Sequence, residues 1–315
     1  MADKKKKEVP KQEQVSLKEY LDEAVANTKG RYYPVKASLL KRLLVKKTSI
    51  GKLHPNPDDE FCYPDIGPNY AIISDYEAKF RKDQILKTEG FEQGGIHEPL
   101  MVQKSRPDGY LIMNGHHRWA AAYRCGFDTM KIEIVNLTQG KDIRKMLMRS
   151  RSDKRVTLDL DEVVFGKEGE TALEKPLSFP LNRIYRDRVR QGVPALFNFL
   201  NNQGYDIWVY TASLRSMDDI RYYFKFWGVR LTGIVTGVGH KGGPDDALKD
   251  EELKQLAEAR YKSTTHIDSN MVLRTFSGSR ECEEFPLSGS SETWGREVID
   301  ILAKIREKEK LQPVQ

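Results

Sequence analysis

Three cysteines in 315 residues, Cys62, Cys125 and Cys282, lie far apart and form no Cys-x-x-Cys pair. Neither a disulfide framework nor a zinc knuckle follows from them, and they read as reduced thiols. Nowhere do eighteen apolar residues run together, so no segment has the makings of a bilayer-spanning helix. The start, "MADKKKKEVP", is basic but leads into no apolar h-region, which excludes a signal peptide and leaves the cytosol as the expected compartment. No internal repeat is visible. An excess of negative charge is also missing: the net charge is +6. That sign suits phosphate-bearing partners, yet part of it sits in the lysine-rich tail, so DNA binding does not follow from it.

The length allows two domains with separate cores. Residues 1–30 read as a basic tail and a short helix: "SLKEYLDEAVANTKG" has a Ser cap, a Glu three residues on and a closing Gly. Residues 31–138 form the first expected domain. Within it "HEPLMVQKS" and "GYLIMNG" are apolar runs split by the turn "RPDG", "HHRWAAAYRCG" has helical composition, and "TMKIEIVNL" alternates like a strand. Residues 139–153 are charged without a clear apolar period and read as a connecting helix or linker.

From residue 154 to 315 buried runs alternate with helical stretches. "RVTLDLDEVVF", "YDIWVYTAS", "LTGIVTG" and "STTHIDSN" predict strands; Pro194 to Gln203, Met217 to Trp227 and Glu251 to Arg260 predict helices. This order implies an α/β fold with a parallel sheet covered on both faces. Ligands collect at the carboxyl ends of such strands. Asp159 and Asp161 close the first strand, Thr211 the second and Asp268 the fourth, while Lys241 follows the third.

This constellation, above all the apolar strand running into Asp-x-Asp in "VTLDLDEVVF", resembles the haloacid dehalogenase (HAD) superfamily over about Arg155 to Asn270. The resemblance implies a Rossmann-like domain in which Asp159 is the nucleophile that forms an aspartyl-phosphate. Asp161 would act as acid and then base, Thr211 would bond the phosphoryl group, and Lys241 would neutralise it, with Lys262 as the alternative lysine. Mg²⁺ would be held by Asp159, Asp161 (through its carbonyl) and Asp268, oxygen donors of the kind this hard ion takes. The superfamily often has two acids in the fourth motif; this chain has Asp268-Ser269-Asn270. About thirty residues separate Phe165 from the next apolar helix, too few for a large cap. A capless site implies a bulky phosphorylated substrate, such as a nucleotide, a nucleic-acid end or a phosphoprotein.

In the first domain, "IMNGHHRWA" puts Gly115, His116, His117 and Arg118 where a strand passes into a helix. A glycine there lets the backbone approach a ligand, the following N–H groups favour an anion, and Arg118 supplies a planar fork of donors, so the junction reads as a phosphate grip. Zinc is the rival; but neighbouring helical residues point about 100° apart, and no third ligand is near in sequence.

The stretch "EPLMVQKSRPDGYLIMNGHHRWAAAYRCGFDTMKIEIV" resembles the ParB/sulfiredoxin fold, an α+β architecture, over roughly Ser49 to Leu137. It is most similar to ADP-dependent free-serine kinases, which have Asp-Gly-His-His-Arg at this junction. The likeness implies that Gly115, His116, His117 and Arg118 contact the phosphates of ADP, ATP or CTP, and that Glu60, or its neighbour Asp58 or Asp59, is a catalytic acid or base. Asn114 stands where those kinases have Asp and cannot serve as a base. Sulfiredoxins need a Cys where His116 stands, and ParB proteins have Gly-Glu-Arg-Arg followed by a DNA-reading helix-turn-helix, which is not evident. The expectation is a Mg²⁺-dependent phosphomonoester hydrolase fused to a nucleotide-binding domain, itself a kinase or, alternatively, a nucleotide-switched or DNA-binding regulatory module.

Overall fold

The computed structural model describes residues 16–88, 98–167, 169, 171–237 and 254–311. The chain divides into two compact units, Met1–Ile134 and Val135–Gln315.

The first unit contains α1 (Leu17–Thr28), β1 (Tyr33–Pro34), α2 (Leu39–Leu44), β2 (Lys47–Ser49), β3 (Leu53–Pro55) and α3 (Tyr70–Thr88). It continues with β4 (Leu100–Arg106), β5 (Tyr110–Asn114), α4 (His116–Arg124) and β6 (Thr129–Ile134). The capping box expected at α1 is present: Ser16 accepts from the Glu19 N–H and Glu19 accepts from the Ser16 N–H. The predicted strand, turn, strand, helix and strand become β4, β5, α4 and β6. The sheet runs β2-β6-β4-β5-β3 with β1 on β4, mixing parallel pairs (β3 with β5, β4 with β6) and antiparallel ones. Leu100, Val102, Ile112, Ile132 and Ile134 point from it into a core shared with Trp119 and Ala120 to Ala122 of α4.

The second unit opens with α5 (Gly140–Arg149), within the stretch expected as a connecting helix or linker. Met146 and Leu147 of this helix are buried with Trp208, Ala257 and Tyr261, all in the second unit. Then come β7 (Lys154–Asp159), a π-helical turn (Leu160–Val164), α6 (Leu181–Ile184), α7 (Val193–Asn202), β8 (Asp206–Thr211), α8 (Met217–Phe226) and β9 (Gly233–Thr236). After α9, described over 254–260, follow β10 (Ser263–Ile267), β11 (Met271–Phe276), β12 (Cys282–Pro286) and α10 (Trp294–Leu311).

The fold is α/β, as the alternation predicts. The sheet order is β12-β11-β10-β7-β8-β9, and β10, β7, β8 and β9 are mutually parallel. Val156, Leu158, Ile207, Val209, Ile234 and Ile267 face one side, packed with residues of α7, α8 and α10. The parallel expectation stops at β10. The turn Asp268 to Asn270 sends the chain straight back, so β11 and β12 add as an antiparallel meander, which needs no crossover helix. Between Phe165 and α7 the described residues form only two bridges, Phe165 with Val189 and Leu173 with Arg190, and the four-residue α6. All three cysteines are free. Among the described residues no helix is long and apolar enough to cross a membrane.

Candidate active site

Parallel pairing carries the carboxyl ends of β10, β7 and β8 to one edge, with Leu158 level with Ile267 and Asp159 level with Tyr210. Neighbouring strands lie about 4.8 Å apart. Asp159, Asp268 and Thr211 are therefore one or two strand spacings from each other, and Asp161 follows in the π-helical turn.

Asp159 caps that turn. Its Oδ1 accepts from the N–H of Asp161 at 2.7 Å and of Glu162 at 2.8 Å. Those two donors fix the carboxylate plane, and Oδ2 takes no hydrogen bond among the described residues. A cleft of about 330 Å³ opens here, lined by Asp159, Glu162, Tyr210 and Asp268 and, further back along the strands, by Thr157, His266 and Arg155.

Asp161 is held from two sides. Its Oδ2 accepts from Thr211 Oγ1 in a short hydrogen bond and from Ser213 Oγ at 3.0 Å. Its Oδ1 lies 3.3 Å from Arg215 Nε. Thr211, expected on the phosphoryl group, is fully buried; it donates to Asp161 and accepts from the Ser213 N–H at 3.0 Å. The Arg215 guanidinium also grips both oxygens of Asp187, at 2.5 and 3.2 Å, and sits over the Phe165 ring. Burial pushes its pKa down, but Asp187 and Asp161 outweigh this and hold it above the ordinary value.

Asp268 Oδ1 accepts from the Ser269 N–H at 2.6 Å, and its carbonyl accepts from Trp294 Nε1 at 3.1 Å. Lys241 lies outside the described residues. Lys262 precedes β10, at the opposite end of that strand from Asp268, about 20 Å away at the usual rise; it pairs instead with Asp153 at 3.6 Å. It is not the alternative lysine for this edge. Among the described residues no three His, Cys, Asp or Glu side chains group to hold a metal ion. The expected Mg²⁺ set asks for less: two carboxylates and one backbone carbonyl. Asp159 and Asp268 line the same cleft with hard oxygen donors, so the residues present fit that ion.

In the first unit, Gly115 caps α4 at φ 103°, in the left-handed region. A Cβ there would stand 2.4 Å from Leu100 Cδ2. The two imidazoles serve the neighbouring loop: His116 Nε2 accepts from the Asn56 N–H and His117 Nε2 from the Asn69 N–H, both at 3.1 Å. Those lone pairs are thus occupied, and a His-His zinc site is excluded. His116 is buried, which pushes its pKa down to about 4 against the pull of Asp59. Arg118 is equally buried and donates to Glu98 Oε2 at 2.7 Å and Glu98 O at 3.0 Å. The imidazoles and the guanidinium of this junction are thus engaged within the protein, around the N-terminal turn of α4. Of the three acids in the facing loop, Asp59 approaches the motif, 3.5 Å from His116 Nδ1, while Glu60 is exposed in the following turn.

Residues 81–151 match the ParB N-terminal domain. The match begins within α3, contains the whole of β4 to β6 with the glycine junction, and ends just after α5. It covers well under half of the chain. A crystal structure of the C-terminally truncated chromosome-partitioning protein ParB from Caulobacter crescentus, complexed to the centromeric parS site, is similar at 21% identity. The similarity covers 34% of this chain and 49% of that one, with a TM-score of 0.22. The chain spans about half the length of that protein, and so slight a likeness carries no argument. No curated protein matches.

Within the ParB-like stretch the sequence located the junction correctly, but the roles of its side chains depend on loops 48 and 60 residues away. In the second unit Arg215, Asp187, Ser213, His266 and Arg155 join the site without having been expected there. A serine and an arginine just past the Thr211 strand end were the only cue for Ser213 and Arg215.

Proposed function

We propose that the second unit hydrolyses phosphomonoesters through Asp159. What supports this reading most is Asp159 itself: a carboxylate at a strand end, its Oδ1 fixed by two backbone N–H groups and its Oδ2 open beside the cleft. Oδ2 attacks phosphorus, the bond to the leaving oxygen breaks, and Asp161 gives that oxygen a proton. Water then attacks the aspartyl-phosphate, Asp161 takes the proton back, and phosphate leaves with Asp159 restored. Thr211, Ser213 and Arg215 hold Asp161 in place for both transfers. Mg²⁺ bound by Asp159, Asp268 and the Asp161 carbonyl would offset the charge of the phosphoryl oxygens. Asp159→Asn should abolish Mg²⁺-dependent phosphate release from p-nitrophenyl phosphate in the full chain. Wild-type turnover in that variant would refute the assignment.

For the first unit we propose a nucleotide- or nucleic-acid-binding regulatory module, supported by the ParB N-terminal match and by the left-handed glycine that opens α4. Asn114 disfavours a kinase. Calorimetric titration with ADP, ATP and CTP tests this reading, with parS-like and unrelated duplexes as the nucleic-acid arm. Heat from none of them would remove it.

A further inference from the structure

Beside the carboxylates lies a surface strip that hydrolysis of a small ester does not need. Asp187, joined to Asp161 through Arg215, belongs to the segment between α6 and α7, and its carbonyl accepts from Tyr223 Oη of α8 at 3.1 Å. The same segment and the facing helix α8 carry exposed rings and cations. Tyr185 touches Tyr223 and Phe226 at ring distances of 5.4 and 5.9 Å, and Tyr222 stands one turn before Phe226 on α8. Earlier in the segment that carries Tyr185, Phe179 is 71% exposed, with the Arg183 guanidinium 5.2 Å above its ring centre. Phe226 is 49% and Tyr222 44% exposed. Arg186 and Lys225 are exposed as well. No carboxylate pairs with Arg183, Arg186 or Lys225 among the described residues.

Exposed rings cost solubility, and aromatic side chains with Arg also mark protein interfaces, although Lys is depleted there. It is the cations left without a carboxylate beside the rings that favour a polyanion. Each ring offers a stacking face that accepts any base, and each cation meets a backbone phosphate. Bases inside a duplex are already stacked, so the strip fits a single strand. A capless site leaves room for that strand to continue away from its reacting end.

We infer that the strip seats a single-stranded nucleic acid whose terminal phosphate reaches Asp159, which makes a phosphorylated nucleic-acid end the substrate. The inference rests on the phosphomonoesterase reading of Asp159. The test uses the full chain, a terminally phosphorylated oligodeoxythymidylate and p-nitrophenyl phosphate. Phe179→Ala combined with Phe226→Ala should raise KM for the oligonucleotide about tenfold or more relative to KM for p-nitrophenyl phosphate. Arg183→Glu with Arg186→Glu should weaken oligonucleotide binding and flatten its salt dependence. Both pairs are largely exposed, and thermal melts verify that the variants fold.

Fluorescence anisotropy on Asp159→Asn protein reads binding without turnover, which separates the two ideas. If wild type hydrolyses no phosphomonoester, the catalytic reading fails while anisotropy still decides the strip. If hydrolysis proceeds but neither variant pair changes KM or anisotropy for the oligonucleotide, the strip is overturned. Tighter binding of a phosphopeptide of equal charge, lost in the same variants, would overturn it in favour of a protein substrate.

Discussion

At the residue scale, the candidate site turns on how Asp161 is held. Arg215 touches it through Nε and is itself clamped by Asp187, so under the proposed mechanism it acts through position. Arg215→Gln should lower kcat by roughly tenfold to a hundredfold, the range that small misplacements of a catalytic group cause, with KM for p-nitrophenyl phosphate changed far less. An equal loss in both would mean that Arg215 binds substrate directly. Asp159 and Asp161 were legible because a strand end followed by a turn has a sequence signature. Arg215 was not, because nothing in "ASLRS" shows that its partner lies 28 residues upstream. A second residue-scale consequence concerns Gly233 of β9. A Cβ at that position would fall 2.0 to 2.5 Å from three atoms of the buried Trp208 ring. Gly233→Ala should destabilise the second unit by about 1–3 kcal/mol, read from chemical denaturation followed by tryptophan fluorescence.

At the scale of elements, α4 is tied to two loops by imidazoles that must stay neutral to accept N–H bonds. Burial holds the His116 pKa at about 4, below its ordinary 6.5, and it lowers His117 as well. The unfolded chain therefore binds protons that the folded chain refuses, so stability from this pair is complete above about pH 6.5 and is lost as pH falls towards 4. The loss from His116 approaches about 3 kcal/mol at full titration, since every tenfold change in proton affinity is worth about 1.4 kcal/mol. The thermal midpoint of the first unit should fall between about pH 6.5 and 5, above the range where ordinary carboxylates titrate. His116→Gln, whose amide oxygen accepts from Asn56 without titrating, should flatten that slope; a slope as steep as wild type would assign the effect elsewhere. Other elements show why periodicity reached only so far. Strands β7, β8 and β9 read clearly because Val, Leu and Ile recur on one buried face: Val156 and Leu158, Ile207 and Val209, and Ile234. β11 did not, because Arg274 occupies an inward position where an apolar residue would mark a strand. It is 8% exposed and is satisfied by Glu283 and Glu309. An ion pair closed by a helix 35 residues downstream has no local signature.

At the scale of the whole molecule, the two units have separate cores, and the segment from Val135 to Asp153 is bonded into the second. The Asn136 N–H donates to Ser216 Oγ at the cap of α8, its carbonyl accepts from the Met217 N–H, and its side chain donates to Asp218 at 2.7 Å. Thr138 bonds to Ile234 and Thr236 of β9. Ser150 donates to Asp206, which also accepts from Tyr261 Oη at 3.0 Å, and Tyr261 in turn accepts from Trp208 Nε1 at 2.9 Å. The Asp-x-Asp strand invites a cut just before residue 154, and charge composition marks the preceding stretch as a connection, because α5 buries only a narrow stripe. A fragment of residues 135–315 should fold cooperatively with Trp208 shielded. A fragment of residues 154–315 lacks Met146, Leu147 and the whole polar seam of α5. Two lost apolar side chains, at about 1.5–3 kcal/mol each, lower its thermal midpoint by roughly 10 °C or more and red-shift its tryptophan emission. Equal midpoints for the two fragments would show that α5 adds nothing to the fold that carries Asp159.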